Sequence, residues 1–118
     1  MYDFRTPPIC TAIVKNGTNN ILYNFEFIWL KRPDLSRKIK KLKNGEYKIV
    51  GMGNVSRNAV SPLKMFYTDV NNYRHEYTIF EELEGLVRRI IYITILGLNE
   101  NGGIEFTVDP NFKPTYTD

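Results

Sequence analysis

The sequence predicts a mostly β domain with one clear α-helix, an α+β arrangement built on a small antiparallel barrel or sheet. Three observations carry this. Runs of alternating apolar and polar residues recur between clusters of Asn, Asp and Gly. A single segment near the C-terminal third has helical spacing and a helix-start signature instead. And 118 residues, 42% hydrophobic and 14% aromatic, suffice for one packed core.

Taken in order, Ile9 to Lys15 is rich in β-branched residues and reads as a strand. Asn16-Gly17-Thr18-Asn19-Asn20 is a cluster of turn formers. Ile21 to Leu30 then alternates, with Tyr23, Phe25, Phe27 and Trp29 on one face and Leu22, Asn24, Glu26, Ile28 and Leu30 on the other. Residues 9–30 therefore read as a long hairpin. The aromatic face fits a core, though such a strand can split its duty, with central rings buried and a terminal ring exposed, and which face is buried stays open. Pro33-Asp34 interrupts the strand, and two readings of residues 34–43 stand open. Asp34 caps a short helix with Leu35, Ile39 and Leu42 on one side, or the segment is an extended basic loop. Asn44-Gly45 turns the chain into a strand from Glu46 to Met52, where Gly51 and Gly53 point to a bulge. Asn54 to Pro62 is polar and loop-like. Leu63 to Thr68 and Tyr73 to Tyr77 form a hairpin about Asp69-Val70-Asn71-Asn72.

The helix is expected from Thr78. Thr78 and Glu81 make a T-x-x-E capping box, and Phe80, Leu83, Val87 and Ile90 share a face. Glu81, Glu82 and Glu84 near its start, with Arg88 and Arg89 near its end, complement the helix dipole. Ile91 to Leu98 is a buried strand, and Asn99 to Gly103 turns it into Ile104 to Asp109. Pro110 closes a single domain over residues 1–110, with 111–118 as a flexible tail. This order suits a small OB-like barrel or another small α+β sheet.

Charge is the strongest functional signal. Lys31, Arg32, Arg37, Lys38, Lys40, Lys41, Lys43 and Lys48 face only Asp34 and Glu46, so residues 31–48 carry +6 in a chain of net +3. Residues 1–68 sum to +8 and residues 69–118 to −5. A basic block beside regularly spaced rings fits a single-strand groove, in which cations follow phosphates and rings stack on bases. The candidate nucleic-acid-binding residues are Trp29, Lys31, Arg32, Arg37, Lys38, Lys40, Lys41, Lys43, Tyr47, Arg57, Tyr67, Tyr73 and Tyr77, with Phe66 and Lys64 as further candidates. Lysines act as point charges, so backbone rather than sequence recognition is expected.

Other chemistry finds little support. His75 and Cys10 are the sole histidine and cysteine, on separate strands and without a supporting motif. The residues offer no metal-ligand set, and Gly51-Met52-Gly53-Asn54 lacks the spacing and the Lys-Ser/Thr of a phosphate loop. No enzyme, cofactor or metal is expected. The lone thiol, the missing signal-peptide pattern and an apolar run (Ile90 to Leu98) too short for a bilayer point to a cytoplasmic protein without a membrane partner.

Four segments together resemble a known family: KLKNGEYKIVGMGNV (41–55), KMFYTDVNNYRHEYT (64–78), IFEELEGLVRRI (79–90) and YITILGLNENGGIEFTV (92–108). Their layout is similar to that of the small single-stranded DNA-binding proteins of protein-primed tailed phages. The resemblance implies an OB-like fold and sequence-tolerant binding of single strands, through tyrosines and basic residues, in replication or recombination. It transfers no individual binding tyrosine. The chain departs from that pattern in its more basic 31–43 segment, its long aromatic strand at 21–30 and a C-terminus with only Asp118 as an acid.

Two other classes remain. A small phage-encoded inhibitor or adaptor would use the same basic surface to dock an acidic protein. A virion assembly protein would add its 9–30 hairpin to a neighbour's sheet, and the charge asymmetry would also permit a homo-oligomer.

Overall fold

The computed structural model describes residues 10–30, 32–51, 60–84 and 89–110. Eight strands succeed one another: β1 (Cys10–Asn16), β2 (Leu22–Trp29), β3 (Arg32–Leu42), β4 (Tyr47–Gly51), β5 (Val60–Thr68), β6 (Arg74–Glu84), β7 (Arg89–Leu98) and β8 (Ile104–Asp109). They form two four-stranded sheets, ordered β4-β1-β7-β8 and β3-β2-β5-β6. Among the described residues there is no helix. The fold is therefore all-β, which corrects the expected α+β class.

The two sheets share one core. The first contributes Ala12, Val14, Val50, Ile91, Ile93, Ile95 and Ile104; the second contributes Leu22, Phe25, Phe27, Trp29, Ile39, Leu42, Leu63, Met65, Tyr67 and Ile79. Period-two burial, clear in β1 and from Ser61 to Thr68 of β5, is what a sheet with one wet face requires. At one side of the molecule β3 lies beside β4, and Arg37 Nε donates to the Gly51 carbonyl across the gap at 3.1 Å. At the opposite side Tyr77 of β6 meets Phe106 of β8 edge to face, with ring centroids 5.1 Å apart. The Tyr77 hydroxyl also accepts from the Ile104 amide at 3.0 Å.

Both expected helices are strands. Segment 34–43 belongs to β3, where Ile39 pairs with Phe25 and Leu42 with Leu22. Four buried side chains meeting across two strands outweigh a marginal helix whose stripe holds only three apolar residues. From Thr78, the chain continues β6 rather than starting a helix. The Thr78 hydroxyl accepts from Lys64 Nζ on β5 at 2.7 Å instead of capping a helix. The consecutive apolar residues Ile79 and Phe80, the second of which belonged to the expected helical face, are accommodated by a register shift: Thr78 pairs with Lys64 and Phe80 with Leu63, leaving Ile79 as the extra residue. The remainder of the expected helix, at 85–88, lies outside the described residues, as do the expected bulge after Gly51 and the tail 111–118.

The expected 9–30 hairpin is also corrected. β1 pairs antiparallel with β4 and parallel with β7, whereas β2 pairs with β3 and β5. The two segments are in different sheets, and the β1–β7 pair makes the assembly not purely antiparallel. The Asn-Gly cluster is a corner between sheets rather than a hairpin turn. Its pivot is Asn16, fully buried and fully bonded. Its Nδ2 donates to the Asn20 and Leu42 carbonyls, and its Oδ1 accepts from the Thr18 amide and hydroxyl. The next position is Gly17 because the backbone passes against β7: its amide donates to the Ile95 carbonyl at 2.9 Å, and a Cβ would sit 2.8 Å from that oxygen. The hairpins about 69–73 and 99–103 form as expected, joining β5 to β6 and β7 to β8.

Candidate nucleic-acid interface

The outer face of the second sheet is where cations, a ring and amides come together. Cross-strand register sets a row of Lys38, Glu26, Phe66 and Glu76, one from each strand. Toward the 69–73 turn, Lys40, Asn24, Thr68 and Arg74 continue the surface. Between them runs an open groove of about 320 Å³ lined by Asn24, Glu26, Lys38, Lys40, Phe66, Thr68, Asn72 and Arg74. Arg74 is its centrepiece. Its guanidinium lies 3.8 Å over the Phe66 ring and donates through Nη2 to Glu26 Oε1 at 2.8 Å. That pair neutralises the one carboxylate in the groove, and Lys38 and Lys40 leave it net positive.

Asn24 creates this surface. Its φ of 64° places it in the left-handed region in the middle of a strand. The alternation of β2 breaks there: Leu22 is buried, Tyr23 and Asn24 are both exposed, and burial resumes at Phe25, Phe27 and Trp29. On β3, Lys40 and Lys41 are likewise both exposed between buried Ile39 and Leu42. The irregularity thus turns Tyr23 out beside its partner Lys41, away from the aromatic core face assigned to it by simple alternation.

The expected site residues divide. Lys38 and Lys40 line the groove, and Lys41 and Lys43 are exposed beyond it. Arg37 is exposed but bonded across to β4. Tyr73 is exposed at the turn that ends the groove, its ring edge-on to His75 at 4.7 Å. Tyr47 is exposed on the outer face of the other sheet, paired with Lys15, and does not look into the groove. Trp29 is 1% exposed, with its indole N–H donating to the Ser61 carbonyl at 3.1 Å. Tyr67 is 4% exposed, against Phe25, and its hydroxyl pKa is pushed up by burial first and by the negative charge of Asp69 second. Tyr77 is half-buried and committed to β8. Trp29 and Tyr67 are thus core groups in this fold, with no ring face open to a base, and Tyr77 is a half-buried inter-sheet group. Lys31 and Arg57 lie outside the described residues, and Arg32 is described only as the backbone partner of Trp29. Sequence reasoning missed Arg74, Asn24 and Tyr23. The available signal was an asparagine interrupting a β-branched and aromatic run, a residue that tolerates positive φ.

Below the groove sits a second polar cluster. Asp69 Oδ1 accepts from the Asn71 and Tyr73 amides at 2.9 and 3.0 Å, and Oδ2 meets His75 Nε2 at 2.8 Å. The His75 hydrogen bond, then the Tyr73 amide, holds the Asp69 carboxyl below its ordinary value. Gly103 of the facing turn approaches closely: a Cβ there would lie 2.7 Å from the Tyr77 hydroxyl and 3.3 Å from His75 Nδ1. This cluster fixes the turn that carries Asn72, Tyr73 and Arg74. It has no nucleophile beside the histidine, and among the described residues no three metal-ligating side chains gather.

The described residues thus define an all-β two-sheet domain with a basic, open groove on one face. An NMR structure of a protein from Eubacterium rectale is similar to it, with a TM-score of 0.54 at 15% identity over 92% of this chain and 93% of that one. At that identity the likeness is one of fold. No family model and no curated protein matches the sequence.

Proposed function

We propose that this protein binds single-stranded nucleic acid with little sequence preference along the outer face of its second sheet. The observation that carries this reading is the groove that Lys38, Lys40 and Arg74 line together with Phe66. Phosphates run past the two lysines and on to Lys41 and Lys43. A base stacks on the outward side of the Arg74 guanidinium, whose inner side rests on Phe66. Tyr23 and Tyr73 flank the same end of the sheet and offer further rings. The amides of Asn24 and Asn72 supply donors and acceptors that suit any base edge. The resemblance to phage single-strand-binding proteins, now without its helix, since 79–84 is strand, suggests a role in replication or recombination in the host cytoplasm.

The test is anisotropy of a labelled oligothymidylate of about thirty bases, titrated at several salt concentrations. An extrinsic label is needed because Trp29 is buried and bonded within the core. Wild-type protein binds at low salt and weakens steeply as salt rises. Lys40→Ala lowers the salt slope by roughly 0.7, the value for one phosphate contact on a single strand. Arg74→Ala weakens binding by about 1–3 kcal/mol, the worth of a stacked base, whereas Tyr47→Ala on the other sheet leaves it unchanged. Silence of the label at low salt overturns the proposal and turns attention to an acidic protein as the ligand of the same cations.

A further inference from the structure

Four connections of this fold gather at one end. Asn16 closes β1 level with Ile95 of β7, and Lys15 pairs with Tyr47 at the start of β4. In the second sheet Leu22 pairs with Leu42, and the Phe25–Tyr67 pair sets Tyr23 level with Asp69. Asn16 ties the two sheets together there, since its side chain donates to the Leu42 carbonyl. The 17–21 corner and the turns at 43–46, 69–73 and 99–103 therefore share that end. Ile21, Val70, Tyr73, Leu96 and Leu98 are exposed on it, Val70 at 94%. Single apolar side chains on a surface are ordinary, but a group of them gathered on one end marks an interaction surface.

This end has two unlike sides. β3 and β4 lie together at one, β6 and β8 at the other. The first side carries exposed Lys43 and Lys48; the second carries exposed Glu100 and Glu105, which line an open space beside Leu98. None of these four is in an ion pair among the described residues. Glu46, between the two lysines, is occupied with the Lys43 amide of its own turn. The first sheet is also stepped here: β1 stops level with Ile95, whereas β7 runs on to Leu98, about 10 Å farther at the rise of a strand. A half-turn about an axis normal to the sheets sets this end against a copy of itself with its sides exchanged. By the strand orders, β4 of one copy then stands over β8 of the other, and β2 over β5. Lysines face glutamates at both margins, the high side of the step fills the low side, and Ile21 ahead of β2 meets Val70 after β5. The alternative two-fold, about an axis lying in the sheets and across the strands, sets Lys43 against Lys43 and is disfavoured by like charge.

We propose that this chain forms a closed two-fold dimer end to end, in which a second copy covers Ile21, Val70 and Leu98, and Lys43 and Lys48 of each copy face Glu100 and Glu105 of the other. The contact is isologous, so it saturates at two copies. The same half-turn leaves both second sheets on one side of the dimer, so that the two grooves adjoin. The contact stands independently of what the grooves hold, because Ile21, Val70, Glu100 and Glu105 do not line them.

Sedimentation velocity over a concentration series at about 0.15 M salt tests it. The wild type passes from monomer to dimer and no further. Ile21→Ser/Val70→Ser, which replaces two exposed side chains, raises the dimer dissociation constant at least about tenfold and leaves the circular dichroism spectrum unchanged. Glu100→Lys/Glu105→Lys sets cations against Lys43 and Lys48 and gives a monomer. Adding Lys43→Glu/Lys48→Glu to the same chain exchanges the two sides and restores the dimer, which shows that the charges act across the contact and that the chain is folded. A wild type that stays monomeric at every concentration overturns the proposal, and so does one that grows past the dimer. So does an unchanged dimer in Ile21→Ser/Val70→Ser, or a combined charge variant that fails to recover. A monomer that instead floats with phosphatidylserine vesicles, and loses them in Ile21→Ser/Val70→Ser, overturns it in favour of a lipid surface. Oligonucleotide anisotropy on the same samples scores the groove separately: a dimer that binds no oligonucleotide removes the nucleic-acid reading and leaves this contact standing.

Discussion

Asp69 shows how one side chain supports a surface it does not join. It accepts two backbone amides of its own turn and contacts His75 on the next strand, and so sets the loop from which Asn72, Tyr73 and Arg74 project. Its carboxyl titrates below the ordinary value of 3.8, chiefly through the His75 hydrogen bond. A carboxyl depressed in the folded state contributes stability that is present above its unfolded value and is lost as pH falls through its folded value. Urea midpoints measured between about pH 5 and about pH 2 should therefore fall through this window, and Asp69→Asn should flatten that part of the profile while lowering the midpoint at neutral pH. A profile of identical shape in the variant would show that Asp69 is not the responsible group. Trp29 makes the opposite point. Its position at the end of an aromatic run beside a basic block suited stacking, yet its indole bond to the Ser61 carbonyl turns it inward. A buried indole that finds a partner for its N–H is a core residue, whatever lies next to it in sequence.

At the scale of the element, β2 is the informative strand. Strict alternation would put Tyr23 with Phe25, Phe27 and Trp29, and the left-handed Asn24 prevents it. The consequence is an exposed Tyr23–Lys41 pair and the open space of the groove beside it. Asn24→Val forces a β-branched residue into a conformation it resists, and it should cost about 1–3 kcal/mol in urea unfolding. Asn24→Gly should remain within about 1 kcal/mol of wild type, because glycine takes positive φ without steric penalty. Equal effects of the two would mean that the side chain rather than the backbone sets the irregularity. β3 and β6 carry the companion lesson. Both have apolar spacings that satisfy a helix on paper, and both are drawn into the sheet by partners far away in sequence. Phe25 and Leu22 claim β3, and Leu63 and Lys64 claim β6 through a register shift. Local signals such as the Thr78–Glu81 capping box contribute about 1 kcal/mol, less than the burial of two or three large side chains.

Across the whole molecule, charge is divided: exposed Lys38, Lys40, Lys41, Lys43 and Lys48 gather on and beside β3 and β4, and exposed Glu81, Glu82 and Glu105 on β6 and β8. A phosphate chain on the outer face is drawn to the first group and repelled by the second. Lys41→Ala/Lys43→Ala should therefore lower the salt slope of oligonucleotide binding by roughly 1.4, twice the value for one contact, whereas Glu81→Gln/Glu82→Gln should leave the slope unchanged. An equal slope in wild type and the lysine variant would mean that phosphates do not follow that side of the fold.

The amino-acid sequence by itself determined the strand-forming runs that became β1, β2, β4, β5, β7 and β8, the two turns at 69–73 and 99–103, and the separation of charge between the chain's halves. Each of these rests on neighbours along the chain: alternation, turn chemistry, or composition. It did not determine which strands pair. The Asn16 corner sends β1 and β2 to different sheets, and the parallel β1–β7 pair joins segments some eighty residues apart. Nor did it determine which rings are available, since Trp29 and Tyr67 are withdrawn into the core while Tyr23 and Arg74 are turned out. Those outcomes depend on which side chains a folded neighbour can bury and which backbone groups it can bond. Only the tertiary structure supplies those partners, and burial of large side chains outweighs local propensity wherever the two disagree.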